Sequence, residues 1–303
     1  MNNRGLQGES RFGEMHPAAI AVYYVVLLVI IMISNSPVFL IAATVIGLVY
    51  GSMHRGVKHS LKMLRYAIMI VLFMALINGF FTHNGGTVLF YIGAQRITKE
   101  AFLYGANMSL VIISALFWFG SFNVIMTSDK LIHVFGKLVP VIGLVISMVF
   151  RFIPLLQQRM SEIQAGQAAL GKERIKGPIN KIRQYTKEVS TLISWSLEAS
   201  IESADSMSAR GYGLHGRTSY SIFKIESADV IVLIISLLCG VAVIVGYQFK
   251  IGKLSFYPFV TRVREASFWL EAAVFLAFLV LLLLPVAIDC YGELKWKSSL
   301  SKI

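Results

Sequence analysis

The chain has 303 residues, 56% of them hydrophobic and only 15% charged, with a mean hydropathy of +0.69. A soluble domain carries about 25% charged residues, so this composition excludes a soluble enzyme or binding module and indicates an all-α integral membrane protein. The formal charge of +12 would suit a nucleic-acid binder, but its distribution along the chain gives it another origin.

The first eighteen residues are polar and include Arg4, Glu9, Arg11 and Glu14. The apolar run that follows lacks a small-residue cleavage site and reads as a retained span rather than a signal peptide. Six candidate spans follow, near 18–34, 37–53, 64–81, 101–122, 228–248 and 268–288, each close to the length a hydrocarbon core requires. Asn35-Ser36-Pro37 is a tight break, and a proline suits the first turn of the next helix, so the first two spans form an antiparallel hairpin. The chain thus divides into an N-terminal membrane part with four spans (1–122), a polar helical region (123–227) and a C-terminal membrane part with two spans (228–303).

Lysine and arginine placement sets orientation. With the N-terminus inside, 22 of the 28 basic residues fall on one face, which predicts cytoplasmic termini in a multi-pass cell-membrane protein. The excess charge is therefore topological, and no nucleic-acid partner is expected.

Residues 123–227 are too many for a structureless connection. A short amphipathic piece near Lys130–Leu138 precedes an apolar Val139–Val149 expected in or against the membrane. Pro154 should start or kink a helix along which Leu156, Met160, Ile163, Gln167 and Leu170 recur at spacings of three and four. Gly171 and Gly177-Pro178 end it. A second helix is expected from about Arg183 to Ser208, with Ser196, Ser200, Ala204 and Ser208 four apart. Such a row lets another helix approach closely. Val189, Leu192, Ile193, Leu197, Ile201 and Met207 supply apolar contact.

This second helix ends in Ala209-Arg210-Gly211. Glycine takes the left-handed conformation that terminates helices, and the helix dipole favours an arginine in the last turn. These residues alone leave two readings: a solvated arginine before a capping glycine, or a cationic plug whose planar fork grips a carboxylate on another protein.

Two glycine patterns carry no chemistry. Gly166 to Lys172 has P-loop spacing, but Glu173 replaces the magnesium-binding Ser or Thr, and the pattern ends a helix instead of opening one. Gly211-Tyr-Gly213-Leu-His-Gly216 spells a dinucleotide fingerprint without a preceding strand. The six histidines have no metal-ligand spacing within a span, and Cys239 and Cys290 are expected to pack rather than to pair. Glu271 and Asp289 lie near span ends, within reach of water, and Asn78 is expected to hydrogen-bond between helices. Without an acidic or basic relay through the bilayer, the chain reads as a frame with a helical docking device and no energy source of its own.

Several stretches in this order resemble a known family. They are His16-Pro17, Asn78, Gly86-Thr87-Val88-Leu89-Phe90 with Thr98 and Glu100, Arg151-Phe152-Ile153-Pro154, and Ala209-Arg210-Gly211-Tyr212. The chain is similar to the transmembrane T components of energy-coupling factor transporters, a group that includes the related subunits of cobalt and nickel importers. The resemblance implies two coupling helices ending in Ala-Arg-Gly-like signatures, each docking on one of two cytoplasmic ABC-type ATPase subunits. Those ATPases would bind ATP and magnesium, and this chain would hold no cofactor or metal and catalyse nothing. It also implies a substrate-specific membrane S component that captures a vitamin or a transition-metal ion. The first signature departs from the family pattern: it reads Ala169-Leu170-Gly171, leucine standing for arginine. Either this plug is apolar, the reading favoured here, or Lys172 or Arg174 supplies the cation. The departure hints at two unlike ATPases. The competing readings are a self-contained secondary carrier, a membrane-embedded lipid enzyme and a non-transporting scaffold.

Overall fold

A computed structural model describes residues 10–92, 95–138, 140–171, 177–212, 223–262 and 267–300. The chain forms two compact units, one of residues 1–131 with 223–303 and the other of residues 132–222.

The first unit is built from apolar helices. After a short turn of helix, α1 (Arg11–Glu14), come α2 (Pro17–Ile33), α3 (Pro37–Arg55) and α4 (Val57–Phe81). Next are a β1–β2 hairpin (Val88–Ile92, Gln95–Thr98), α5 (Lys99–Ile125) and the start of α6 (Ser128–Leu138). The chain returns with α9 (Ser227–Gln248), a short β3–β4 ladder (Leu254–Ser255, Thr261–Arg262) and α10 (Phe268–Leu300). Among the described residues, five helices (α3, α4, α5, α9 and α10) are long and apolar enough to cross a membrane.

The first expected span, α2, is shorter. Its 17 residues cover about 25 Å, because His16-Pro17 and Asn35-Ser36-Pro37 cut it off tightly at both ends. The His16 ring accepts from the Ala18 N–H at 3.2 Å, and the His16 backbone N–H donates to the buried Asp229 at 2.8 Å. A second Asp229 oxygen accepts from Glu226 N–H at 2.8 Å. The same carboxylate therefore caps α9 and pins the start of α2.

Tyr23, Tyr24, Tyr50, Phe12 and Trp118 are completely buried or nearly so. The indole N–H of Trp118 donates to the Ala43 carbonyl at 3.0 Å. It fits only because residue 47 is glycine, since a Cβ there would lie 2.8 Å from the indole nitrogen.

Between α4 and α5, Gly105 lets the backbones touch: a Cβ would sit 2.6 Å from the Met74 carbonyl oxygen and 2.9 Å from the Ala75 Cα. In lipid, packing of this kind replaces the hydrophobic drive between helices. Gly105→Val should destabilise the protein by about 1–3 kcal/mol through overpacking, read as a lower unfolding midpoint in detergent. Gly166→Ala, where a Cβ meets open space, is the matched substitution that leaves the midpoint unchanged or slightly higher.

Asn78 does not bridge helices as expected. Its amide donates to the Met74 carbonyl one turn back in its own helix at 3.1 Å. Asp289 is not near water either, being 5% exposed. Both cysteines are free. Cys239 packs against the core, whereas Cys290 is exposed, contrary to the packing role expected for it.

Gly86, Thr87, Thr98 and Glu100 come together beside the β1–β2 hairpin. The Thr87 N–H and hydroxyl both donate to the buried Glu100 carboxylate, and the Gly86 N–H donates to the Pro258 carbonyl at 2.7 Å. This motif fastens the loop between α4 and α5 to the loop between α9 and α10.

Candidate functional site

The second unit is dominated by two long helices, α7 (Pro140–Ala169) and α8 (Pro178–Ala209). At 1.5 Å per residue they are about 45 and 48 Å long. Helix α7 begins well before Pro154, so the apolar stretch after Val139 and the amphipathic stretch that follows form one rod. Pro154 is exposed inside it. Helix α8 starts at Pro178, earlier than expected, because a proline at the first helical position has no N–H to lose.

The helices pack antiparallel. Gln164 of α7 reaches Glu188 of α8 at 3.4 Å, and the Arg159 guanidinium lies over the Trp195 ring, 4.9 Å from its centroid. Nearer the end of α8, Arg151 and Leu144 share a cleft with Arg210. Glu188 is buried yet satisfied, accepting also from Gln184 at 3.0 Å. Arg159 is held in turn by Glu162 at 2.6 Å.

The face of α8 turned toward α7 carries Glu188, Val189, Leu192, Trp195, Ser196, Ala199, Ser203 and Met207, at helical spacing. Of the small-residue row expected to make the contact, only Ser196 is half-buried; Ser200, Ala204 and Ser208 are exposed. Ile193, Leu197 and Ile201 also face outward. Turning α8 to bury that row would have exposed Glu188 and Trp195, which have specific partners on α7.

Both rods end in a left-handed glycine. At the end of α8 the Gly211 N–H bonds the Ser208 carbonyl at 3.0 Å and the Tyr212 N–H bonds the Met207 carbonyl at 3.1 Å. Gly211 itself is left-handed at φ 70°. This is a Schellman motif with Arg210 as C-cap. At the end of α7, Gly171 has φ 75° and its N–H bonds the Ala168 carbonyl at 2.8 Å. A Cβ at either glycine would be strained at such a φ, so each sequence signature is a helix terminator.

Ala169, Leu170 and Gly171 are exposed, as are Ala209 and Arg210, with Gly211 half-exposed. Leu170 is 73% exposed. It leaves the stripe formed by Leu156, Met160, Ile163 and Gln167, which are half-buried against α8. Because the helices run antiparallel and Arg210 lies beside the first half of α7, the two signatures sit at opposite ends of the pair, roughly 30 Å apart.

The Arg210 end carries a cleft of about 480 Å³, lined by Arg151 and Phe152 of α7 and by Glu202, Met207 and Tyr212 among others. Arg151 appears in the sequence only as part of a motif, with no role. Nothing in the spacing of 151 and 210 signals that they share a cleft, because only the antiparallel docking brings them together. Lys172, Arg174 and the Gly213–Gly216 stretch lie outside the described residues. Among the described residues no cluster of His, Cys, Asp or Glu could hold a metal ion.

Residues 13–220 match the CbiQ family, described as cobalt transport protein. The transmembrane protein EcfT of the energy-coupling factor transporter from Streptococcus thermophilus is 27% identical over 254 residues, covering 78% of this chain and 94% of the relative. Those of Streptococcus equi and Bacillus subtilis are 29% and 28% identical over 186 residues, covering 57% of this chain and 69% and 70% of the relatives. The family match takes in α2 through α8 and both capped helix ends, and the chain belongs to the CbiQ family, the transmembrane T components of energy-coupling factor transporters.

Proposed function

We propose that the chain couples ATP hydrolysis by two cytoplasmic ABC-type ATPase subunits to the movement of a substrate-binding S component in the membrane, which delivers a vitamin or a transition-metal ion. The observation that carries this reading is the pair of exposed, glycine-capped helix ends, Leu170-Gly171 and Arg210-Gly211, at opposite ends of one stiff antiparallel hairpin. Two separated knobs on a rod suit two motor subunits. One knob is apolar and the other cationic, which suits unlike ATPases. Nucleotide and magnesium belong to those partners, and this chain acts mechanically.

The exposed row Ser200, Ala204 and Ser208, flanked by Ile193, Leu197 and Ile201, offers a further helix a close approach. The basic residues favour an orientation with both termini in the cytoplasm, the side on which the ATPases would meet α7 and α8. The test is reconstitution. The chain co-expressed with its genomically neighbouring ATPases and S component should pull both down and drive ATP-dependent uptake in proteoliposomes. Uptake by the purified chain alone would replace this reading with a self-contained carrier.

A further inference from the structure

At one end of the membrane unit lies a cleft of about 910 Å³, where α1, the α3–α4 junction, the end of α5 and the start of α6 meet. His54, Arg55, His59 and Lys130 line it, with Glu14 as the one acidic side chain in its wall among the described residues. Arg55 donates to the Gly120 carbonyl, and Lys130 donates to the carbonyls of Gly13 and Ile125. Backbone acceptors thus fix both cations in place, and neither forms a salt bridge among the described residues. Carbonyl dipoles orient a charge without neutralising it. Burial pushes the Lys130 ammonium below the usual lysine range, which Glu14 offsets only in part.

The cleft also has an apolar wall. Val124 belongs to span α5, lines the cleft and is 43% exposed. Leu61 and Leu64 are exposed on α4, just beyond His59. Cationic nitrogens thus stand beside outward-facing apolar surface where three candidate spans end, the level at which a bilayer would place its head groups. Basic pockets between helices in that position suit anionic head groups.

We propose that this cleft binds the phosphodiester head group of an acidic phospholipid, with Arg55 and Lys130 as its cationic contacts and the acyl chains running along α4 and α5. The experiment uses the full chain in nonionic detergent, titrated with phosphatidylglycerol or phosphatidylcholine and read by native mass spectrometry. Phosphatidylglycerol should be retained and phosphatidylcholine lost. Lys130→Gln and Arg55→Gln should each weaken phosphatidylglycerol binding roughly fivefold, whereas Lys130→Arg keeps it. Lys62→Gln, an exposed change on α4 outside the cleft, should have no effect.

Undiminished phosphatidylglycerol retention in the Arg55→Gln/Lys130→Gln double variant overturns the proposal. So does an equal loss in Lys62→Gln, which would indicate diffuse surface attraction. Displacement of the lipid by millimolar inorganic phosphate would reassign the cleft to a free ion. Melting of each variant in phosphatidylcholine, matched to wild type, separates lost binding from lost folding, and Arg55→Gln carries the test if Lys130→Gln does not fold.

Discussion

Arg210→Ala is expected to weaken the proposed docking of an ATPase subunit by about 2–4 kcal/mol, the loss typical of a desolvated arginine anchor. That corresponds to roughly 30- to 1000-fold in affinity. The side chain stands exposed on a helix end whose backbone is closed by the Gly211 and Tyr212 hydrogen bonds. The substitution therefore removes the charge and fork while leaving the cap intact. A planar guanidinium grips a carboxylate with two parallel bonds, which an ammonium cannot do, so Arg210→Lys should fall between wild type and alanine. Leu170→Ala, at the apolar knob, should lose less, of the order of the 1.5–3 kcal/mol that burial of a leucine is worth. ATP-driven uptake and ATPase co-purification at matched expression are the measurements. If Arg210→Ala transports as well as wild type, Arg210 is only a solvated cap and the docking assignment is lost. Far-ultraviolet circular dichroism should be unchanged, since Gly211, not Arg210, supplies the left-handed turn.

The membrane helices were legible because hydropathy along a single chain reports them directly, and glycine and proline mark their ends. Pro37, Gly171 and Gly211 each stop or start a helix where local chemistry requires it. Side-chain partnerships were less legible. Asn78 has a generic donor, and nothing in its sequence position distinguishes a partner on another helix from the Met74 carbonyl one turn back that it uses. The serine row and the Glu188–Trp195 row of α8 lie one position apart and are equally periodic, so periodicity alone does not pick the facing side. What decided between them was Gln164 and Arg159 on another helix. Asp289 looked like a water-accessible residue near a span end, and its partners lie more than two hundred residues away in sequence. Arg151 gained a setting only when α7 and α8 were paired. Periodicity identifies a face, but the neighbour that covers it comes from tertiary structure.

Asp289→Ala should be among the most damaging single changes in the membrane unit, at about 3–5 kcal/mol, the range for removing one partner from a buried charged group. One carboxylate oxygen accepts from the Phe12 N–H at 2.8 Å, and the other from the Tyr50 hydroxyl at 3.1 Å. That second oxygen also lies 3.2 Å from Nε2 of His54, an ion pair when the imidazole is protonated. Asp289 thus ties α10 to the turn before α2 and to the end of α3, beneath a layer that includes the fully buried Phe12. Alanine would strand these donors away from water, each at about 1–3 kcal/mol when unpaired, with losses that overlap because they share one acceptor. Asp289→Asn keeps one acceptor oxygen but turns an amide N–H₂ toward the remaining donors, so it should cost less than alanine and more than Tyr50→Phe, which removes a single hydrogen bond worth about 1 kcal/mol. Cys290→Ser, at the exposed neighbouring position, should stay within about 0.5 kcal/mol. Unfolding free energies in mixed micelles would order the four variants, and amide exchange at Phe12 would locate the effect. Protection at that amide should vanish in Asp289→Ala and persist in Tyr50→Phe. A protected Phe12 amide in the alanine variant would mean that the N-terminal turn is held by α10 packing alone, and that Asp289 serves His54 and Tyr50 without fastening the start of the chain.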